Sequence, residues 1–242
     1  MRWIYISPHF DDAVLSCGGL IYEQSRQGIP VEIWTVCAGD PPSGSLSPLA
    51  QVCHFQWGTQ TAEETVALRR EEDQAAAARV GAGTRQFGFA DCIYRRSPEG
   101  NLLYTEDVFV TPHPLEAELD AEIAAALEKE LRPDDLLVCP LTIGSHVDHV
   151  LTRTAVERLG RPLRYYADIP YLLNDPEALE PATKGLRADL FPVSEDGLAA
   201  WLDGVAMYRS QIAMLFETEE KMREAIRLYW ADRRGLGLWR EV

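Results

Sequence analysis

The sequence predicts an α/β fold: a Rossmann-like, doubly wound and mostly parallel sheet with core order 3-2-1-4-5 and helices on both faces, three layers in all. Three observations carry this. Short apolar runs alternate with helix-length segments through the first two thirds of the chain. Residues 3–7, 13–27 and 31–37 read as strand, helix, strand within ~35 residues, the size of a right-handed βαβ unit. The 242 residues, 46% hydrophobic and 25% charged, suit one large domain spanning 1–242 with a sizeable core.

Taken in order, WIYIS at 3–7 is a buried strand ended by a proline. Residues 13–27 have helical spacing, with Gly28 placed as the cap. Residues 31–37, rich in β-branched types, form the second strand. Residues 39–60 are rich in Gly, Pro, Ser and Gln and read as a long loop, of the kind that is functional or mobile. The stretch 61–80 is helical, with acids in its first turn and Gly81 after its last. A third strand is expected at 85–89, followed by irregular chain over 91–112. A helix at 114–131 stops at Arg132-Pro133, and DLLVC at 135–139 is the fourth strand. The loop 140–145 leads to a helix at 148–159 and a fifth strand at 163–167. Helices at 197–208 and 219–231 complete the chain, the second capped by Thr218.

The charge balance bounds the partners. With 38 acidic against 23 basic residues the formal net charge is −15, which repels phosphate backbones, so nucleic acid is not expected. No apolar run approaches membrane-spanning length, and the N-terminal apolar run is too short for a signal peptide. Five cysteines without a CxxC pair, with Cys17, Cys37 and Cys139 in apolar stretches, read as buried thiols of a cytoplasmic protein. Homo-oligomerisation is left open.

In the order 3-2-1-4-5 the first and fourth strands are neighbours whose connections diverge, opening a crevice at their carboxyl ends. The two loops that meet there are Ser7-Pro8-His9-Phe10-Asp11-Asp12-Ala13 and Gly144-Ser145-His146-Val147-Asp148-His149, which hold three of the five histidines. Alone, Asp12 would read as a helix N-cap. Together the loops supply His9, Asp12 and His149, three protein ligands with a position left for water, as catalytic zinc requires. Fe2+ or Co2+ suits the same donors. Asp11 remains as a carboxylate base, His146 as a donor to developing negative charge, and Asp148 as a partner that orients an imidazole.

These motifs resemble the two signatures of the PIG-L/LmbE-like N-acetylglucosaminyl deacetylase family. Cys17-Gly18-Gly19, Arg69-Arg70-Glu71-Glu72, Asp168-Ile169-Pro170-Tyr171 and Tyr208-Arg209-Ser210-Gln211 extend the likeness through most of the chain. The resemblance implies a zinc-dependent hydrolase that removes the N-acetyl group of a small-molecule amino sugar or its conjugate. It implies His9, Asp12 and His149 as metal ligands, Asp11 as general base and His146 as the transition-state-stabilising histidine. It further implies that Arg69 and Asp91 touch sugar hydroxyls. The common first motif is AHPDDE, and this chain has Phe10 for its proline and Ala13 for its glutamate.

Plainer readings stand beside these. His54 and His113 are expected to be solvated, Arg69 to be a surface ion-pair partner, and Gly18-Gly19 to allow close helix–sheet packing. Two rival functions remain: a non-haem iron oxygenase using two His and one carboxylate, which needs many short antiparallel strands, and a non-catalytic glycan- or nucleotide-binding module. An intact Asp11 argues against a pure binder.

Overall fold

A computed structural model describes residues 1–242. Strand β1 (Trp3–Ser7) is buried along its whole length because it pairs in parallel on both sides. One neighbour is β2 (Val31–Thr35), in register Trp3↔Val31 to Ser7↔Thr35. The other is β4 (Leu136–Pro140), through Tyr5↔Val138. Strands β3 (Gly83–Gln86) and β5 (Leu163–Tyr166) extend the parallel sheet outward. Two strands not expected from the sequence, β6 (Leu186–Pro192) and β7 (Gly235–Glu241), add an antiparallel flank. The seven-stranded order is β3-β2-β1-β4-β5-β7-β6, so the 3-2-1-4-5 core is as expected. The antiparallel meander that the oxygenase reading needs is not this sheet.

Alternation along β1 divides the core. Trp3 and Tyr5 face one layer with α1 (Asp12–Arg26), α3 (Ala62–Val80), α8 (Glu195–Val205) and α10 (Glu219–Arg233). Ile4 and Ile6 face the other, with α4 (Leu119–Glu128) and α5 (Val147–Arg158). Strands covered on both faces are apolar throughout, which is why WIYIS and LLVC carry no polar face. The remaining helices are α2 (Pro48–Trp57), α6 (Tyr171–Asn174), α7 (Leu179–Ala182) and α9 (Arg209–Phe216).

Local chemistry accounts for most boundaries. Gly81 ends α3 in the left-handed conformation (φ 78°), where only glycine is unstrained. Thr218 caps α10 by accepting from the Lys221 N–H at 3.2 Å. Gly18 serves a helix–helix contact with α8 rather than helix–sheet packing, while Gly19 packs against Val193, just after β6. A Cβ on Gly18 would lie 2.5 Å from Trp201 Cδ1, and one on Gly19 2.8 Å from Val193 Cγ1. Trp201 completes the contact by donating its indole N–H to the Val14 and Leu15 carbonyls, which α1 otherwise bonds within itself.

The 39–60 segment is not simply a loop. Ser47 caps α2, accepting from the Ala50 N–H at 3.0 Å, and Pro48 occupies the first helical turn. A third apolar cluster, with Phe10, Ala50, Trp57, Val66, Ile93 and Tyr94, fastens α2 and α3 over the carboxyl ends of the strands. It roofs the crevice between β1 and β4.

Candidate functional site

The turn after β1 aims its carboxylates inward. The N-terminal N–H groups of α1 take little from them: Ala13 donates to Ser7 Oγ at 3.0 Å, and Asp11, at the cap position, makes no side-chain cap bond. Asp12 is therefore not the cap. Its Oδ2 accepts from the His9 backbone N–H at 2.7 Å, and its Oδ1 lies 3.3 Å from His149 Nε2. Oδ2 is also 3.4 Å from His9 Nδ1, which places this carboxylate between the two imidazoles.

Each imidazole is held from behind. His9 Nε2 bonds Asp148 Oδ2 at 3.0 Å, and His149 Nδ1 bonds Asp168 Oδ1 at 2.8 Å. Asp168 Oδ2 also accepts from the Ile143 N–H, tying the second motif loop to β5. Asp148 is wholly buried and takes the Cys92 N–H and an ion pair from Arg95, which in turn grips Glu116. That loop turns through left-handed backbone at Thr142, Gly144 and Ser145. Gly144 is required there, since a Cβ would meet the Tyr171 ring at 2.8 Å.

Electrostatics follow from this packing. Burial opposes charge on His9, but Asp91, Asp12 and Asp148 outweigh it and hold its pKa well above the usual imidazole value. His149 is pulled down by burial and raised more strongly by Asp12 and Asp168, to about 9. Asp12 resists burial through His149 and His9 and stays well below the ordinary carboxylate range. His146 goes the other way: burial and the neighbouring charge of His9 keep it neutral. Burial raises Asp11, with Arg69 only partly offsetting the shift.

The donor set fits a cation. His149 Nε2 is buried with no hydrogen-bond partner, although it faces a carboxylate oxygen. His9 Nδ1, the Asp12 carboxylate and His149 Nε2 are nitrogen and oxygen donors of the kind a divalent metal takes. The nitrogens of His9, His146 and His149 also lie within 4.8 Å of one another, so His146 borders the same point. Its Nδ1 accepts from the Asp148 N–H at 3.2 Å, which puts its proton on Nε2. Asp148 has its oxygens occupied by Arg95, His9 and Cys92, as an orienting group would.

Arg69 and Asp91 join the cluster. Arg69 is buried, not on the surface, with Nη2 3.4 Å from Asp11 and Nη1 3.6 Å from Asp91. Its guanidinium lies over the Phe10 and Trp57 rings at 5.6 and 5.0 Å. Phe10 thus replaces the motif proline with a platform for this arginine, and Ala13 disappears into the core. His54 is buried too, bonded to Tyr94 Oη at 2.7 Å. His113 is half-buried and caps a short turn through Leu115 N–H. All these groups, His54 and His113 aside, meet at or just beneath the floor of a cleft of about 320 Å³. Arg95 carries no sequence signal of its own, and Asp168 lies in the Asp168–Tyr171 stretch of the family likeness, where the sequence assigns it no role.

Comparison with known proteins identifies the family of the chain. The GlcNAc-PI de-N-acetylase (PIG-L) family pattern matches residues 4–159, which include both motif loops. A 2'-N-acetylparomamine deacetylase of Niallia circulans is 29% identical over 98% of this chain and 93% of its own. The zinc-inhibited form of teicoplanin deacetylase superposes with a TM-score of 0.84 at 30% identity, covering 99% of this chain and 97% of that one. A deacetylase of the A40926 pseudoaglycone gives 0.77 at 29% identity, over 99% and 96%. The chain belongs to the PIG-L family.

Proposed function

We propose that this chain is a metal-dependent hydrolase that removes the N-acetyl group of an amino sugar or its conjugate, with residues 1–242 acting as one catalytic domain. The observation that carries the reading is the division of labour between adjacent carboxylates. Asp12 sits between His9 and His149, while the Asp11 side chain lines the cleft and makes no hydrogen bond to the helix it precedes. His9 Nδ1, Asp12 and His149 Nε2 would hold the ion; zinc is the first choice, with Fe2+ or Co2+ alternatives. The relatives named as deacetylases support the hydrolysis, and the one solved in a zinc-inhibited form supports a site that takes a metal ion. Five free cysteines fit a cytoplasmic setting.

When bound, such an ion supplies a Lewis acid that polarises the amide carbonyl and makes water nucleophilic near neutral pH. Asp11, its basicity raised by burial, takes the proton from that water. His146 is neutral with its proton on Nε2, and it donates to the carbonyl oxygen as negative charge develops there. Asp11 then passes its proton to the departing nitrogen. The sum is amide plus water giving an ammonium group and acetate. Arg69 and Asp91 would bind sugar hydroxyls beside the reacting group.

The test is amine release from a panel of N-acetylated amino sugars, with and without chelator. Chelation should abolish release and zinc should restore it. Asp11→Ala should keep the metal and lose about 10²–10⁴-fold in kcat. Unchanged turnover in that variant would remove Asp11 from the mechanism. No release from any member, with metal demonstrably bound, would leave the binding-module reading.

A further inference from the structure

The floor of the cleft is polar, but its walls are not. Helix α2 turns Leu49 and Val52 toward it, and α9 turns Met214 and Leu215. Leu49 and Val52, three apart, share one face of α2, and the adjacent Met214 and Leu215 border the cleft from the last turn of α9. Val108 and Phe109 close the third side, with the Phe109 ring edge-on to His146 at 5.6 Å and to Tyr171 at 5.8 Å. Faces of this kind are ordinarily covered by core. Here Val52 is 56% exposed, Phe109 51% and Met214 41%.

The wall offers little to a polar ligand. The polar side chains that α2 and α9 add are Gln56 and Gln211, both uncharged, apart from the Cys53 thiol. The lining carboxylates Asp11, Asp12 and Asp91 all belong to the floor, where Arg69 and the imidazoles face them. A ligand with hydroxyls or ammonium groups on every side would leave them unpaired against this wall. A polycationic partner would find no acid on it.

We infer that this wall is a subsite for an apolar alkyl or aryl substituent on the amino sugar, carried as its glycosidic partner or as a longer N-acyl chain. The inference rests on the deacetylase reading of the floor and extends it to the rest of the substrate. Its distinguishing claim is selectivity: an apolar conjugate is preferred to the free sugar and to a polyamine-bearing one.

Two measurements test it on the zinc-loaded full chain. In the first, kcat/KM is compared for N-acetylglucosamine, its phenyl and octyl β-glycosides, N-octanoylglucosamine and 2'-N-acetylparomamine. At least one apolar member should exceed the free sugar by about tenfold or more. A gain in the glycosides alone assigns the wall to the glycosidic partner, and a gain in N-octanoylglucosamine alone assigns it to the acyl chain. Val52→Ser and Met214→Gln, at exposed positions, should bring the ratio of apolar to free substrate toward one. In the second, calorimetry compares octyl with methyl β-glucoside, neither hydrolysable, below micellar concentration. Octyl glucoside should bind tighter, and the same variants should erase the difference. Turnover of the free sugar with a ratio near one would overturn the subsite and leave deacetylation standing. Absence of all turnover would overturn deacetylation, and calorimetry would still decide the subsite.

Discussion

Asp148 and Asp168 are the residues on which the geometry of the two imidazoles depends, and neither borders the cleft. Each fixes the outer nitrogen of one histidine, so the inner nitrogen is presented without rotation. Arg95 sits one step further out, compensating the buried charge of Asp148. Arg95→Met would leave that charge unpaired, and His9 would lose its support. Zinc affinity, measured by competition with a chromogenic chelator, should fall about 10–100-fold in Arg95→Met and in Asp168→Asn, with Arg95→Lys retaining part of it. Wild-type affinity in both of the first two variants would show that the histidines hold their places unaided. The cluster of His9, Asp11, Asp12, His146, Asp148 and His149 was legible because two dense motifs follow two recognisable strands. Arg95 and Glu116 were not: Arg95 stands in irregular chain and Glu116 in a segment read as an ordinary helix, and neither belongs to a motif. Arg69 misled for a related reason: its helix is crowded with charge, and only the fold shows that this one guanidinium points inward over Phe10 and Trp57.

At the scale of elements, what the sequence showed best were segments covered on both sides. WIYIS and DLLVC are apolar throughout because the sheet buries both their faces. Strands β6 and β7 escaped notice because one is largely exposed and the other contains two glycines and charges. Helix α2 was hidden by the Gly- and Pro-rich stretch before it, although Ser47 and Pro48 form an ordinary helix start. The α1–α8 contact gives a test at this scale. Gly18→Ala forces a methyl against Trp201, and the two helices must part or the indole must turn. A loss of about 1–3 kcal/mol is expected, read as a lower urea midpoint with an unchanged slope. A wild-type midpoint would mean the interface has slack that the close approach conceals.

For the molecule as a whole, the site is a product of topology. His9 and His149 stand 140 residues apart (149 − 9) and meet because β1 and β4 are neighbours. A ligand set assembled only by the folded sheet couples metal binding to global stability. With zinc at about 100 times its dissociation constant the gain is about 2.7 kcal/mol. Chelation should therefore lower the thermal midpoint by about 5–10 °C in a chain of this length. An identical midpoint with and without chelator would mean that the ion contributes nothing to the fold.

The position of β7 bears on how the chain is made. This strand lies between β5 and β6, pairing along its full length with β6 and touching β5 at Tyr165↔Trp239. During synthesis β6 emerges more than forty residues earlier (235 − 192 = 43), and until β7 follows, that flank has no partner strand. The parallel core and both motif loops can assemble first, while residues 186–192 wait as an open edge exposed to whatever nascent chain lies nearby. A strand made after both of its neighbours is thus the one that joins β6 to the rest of the sheet.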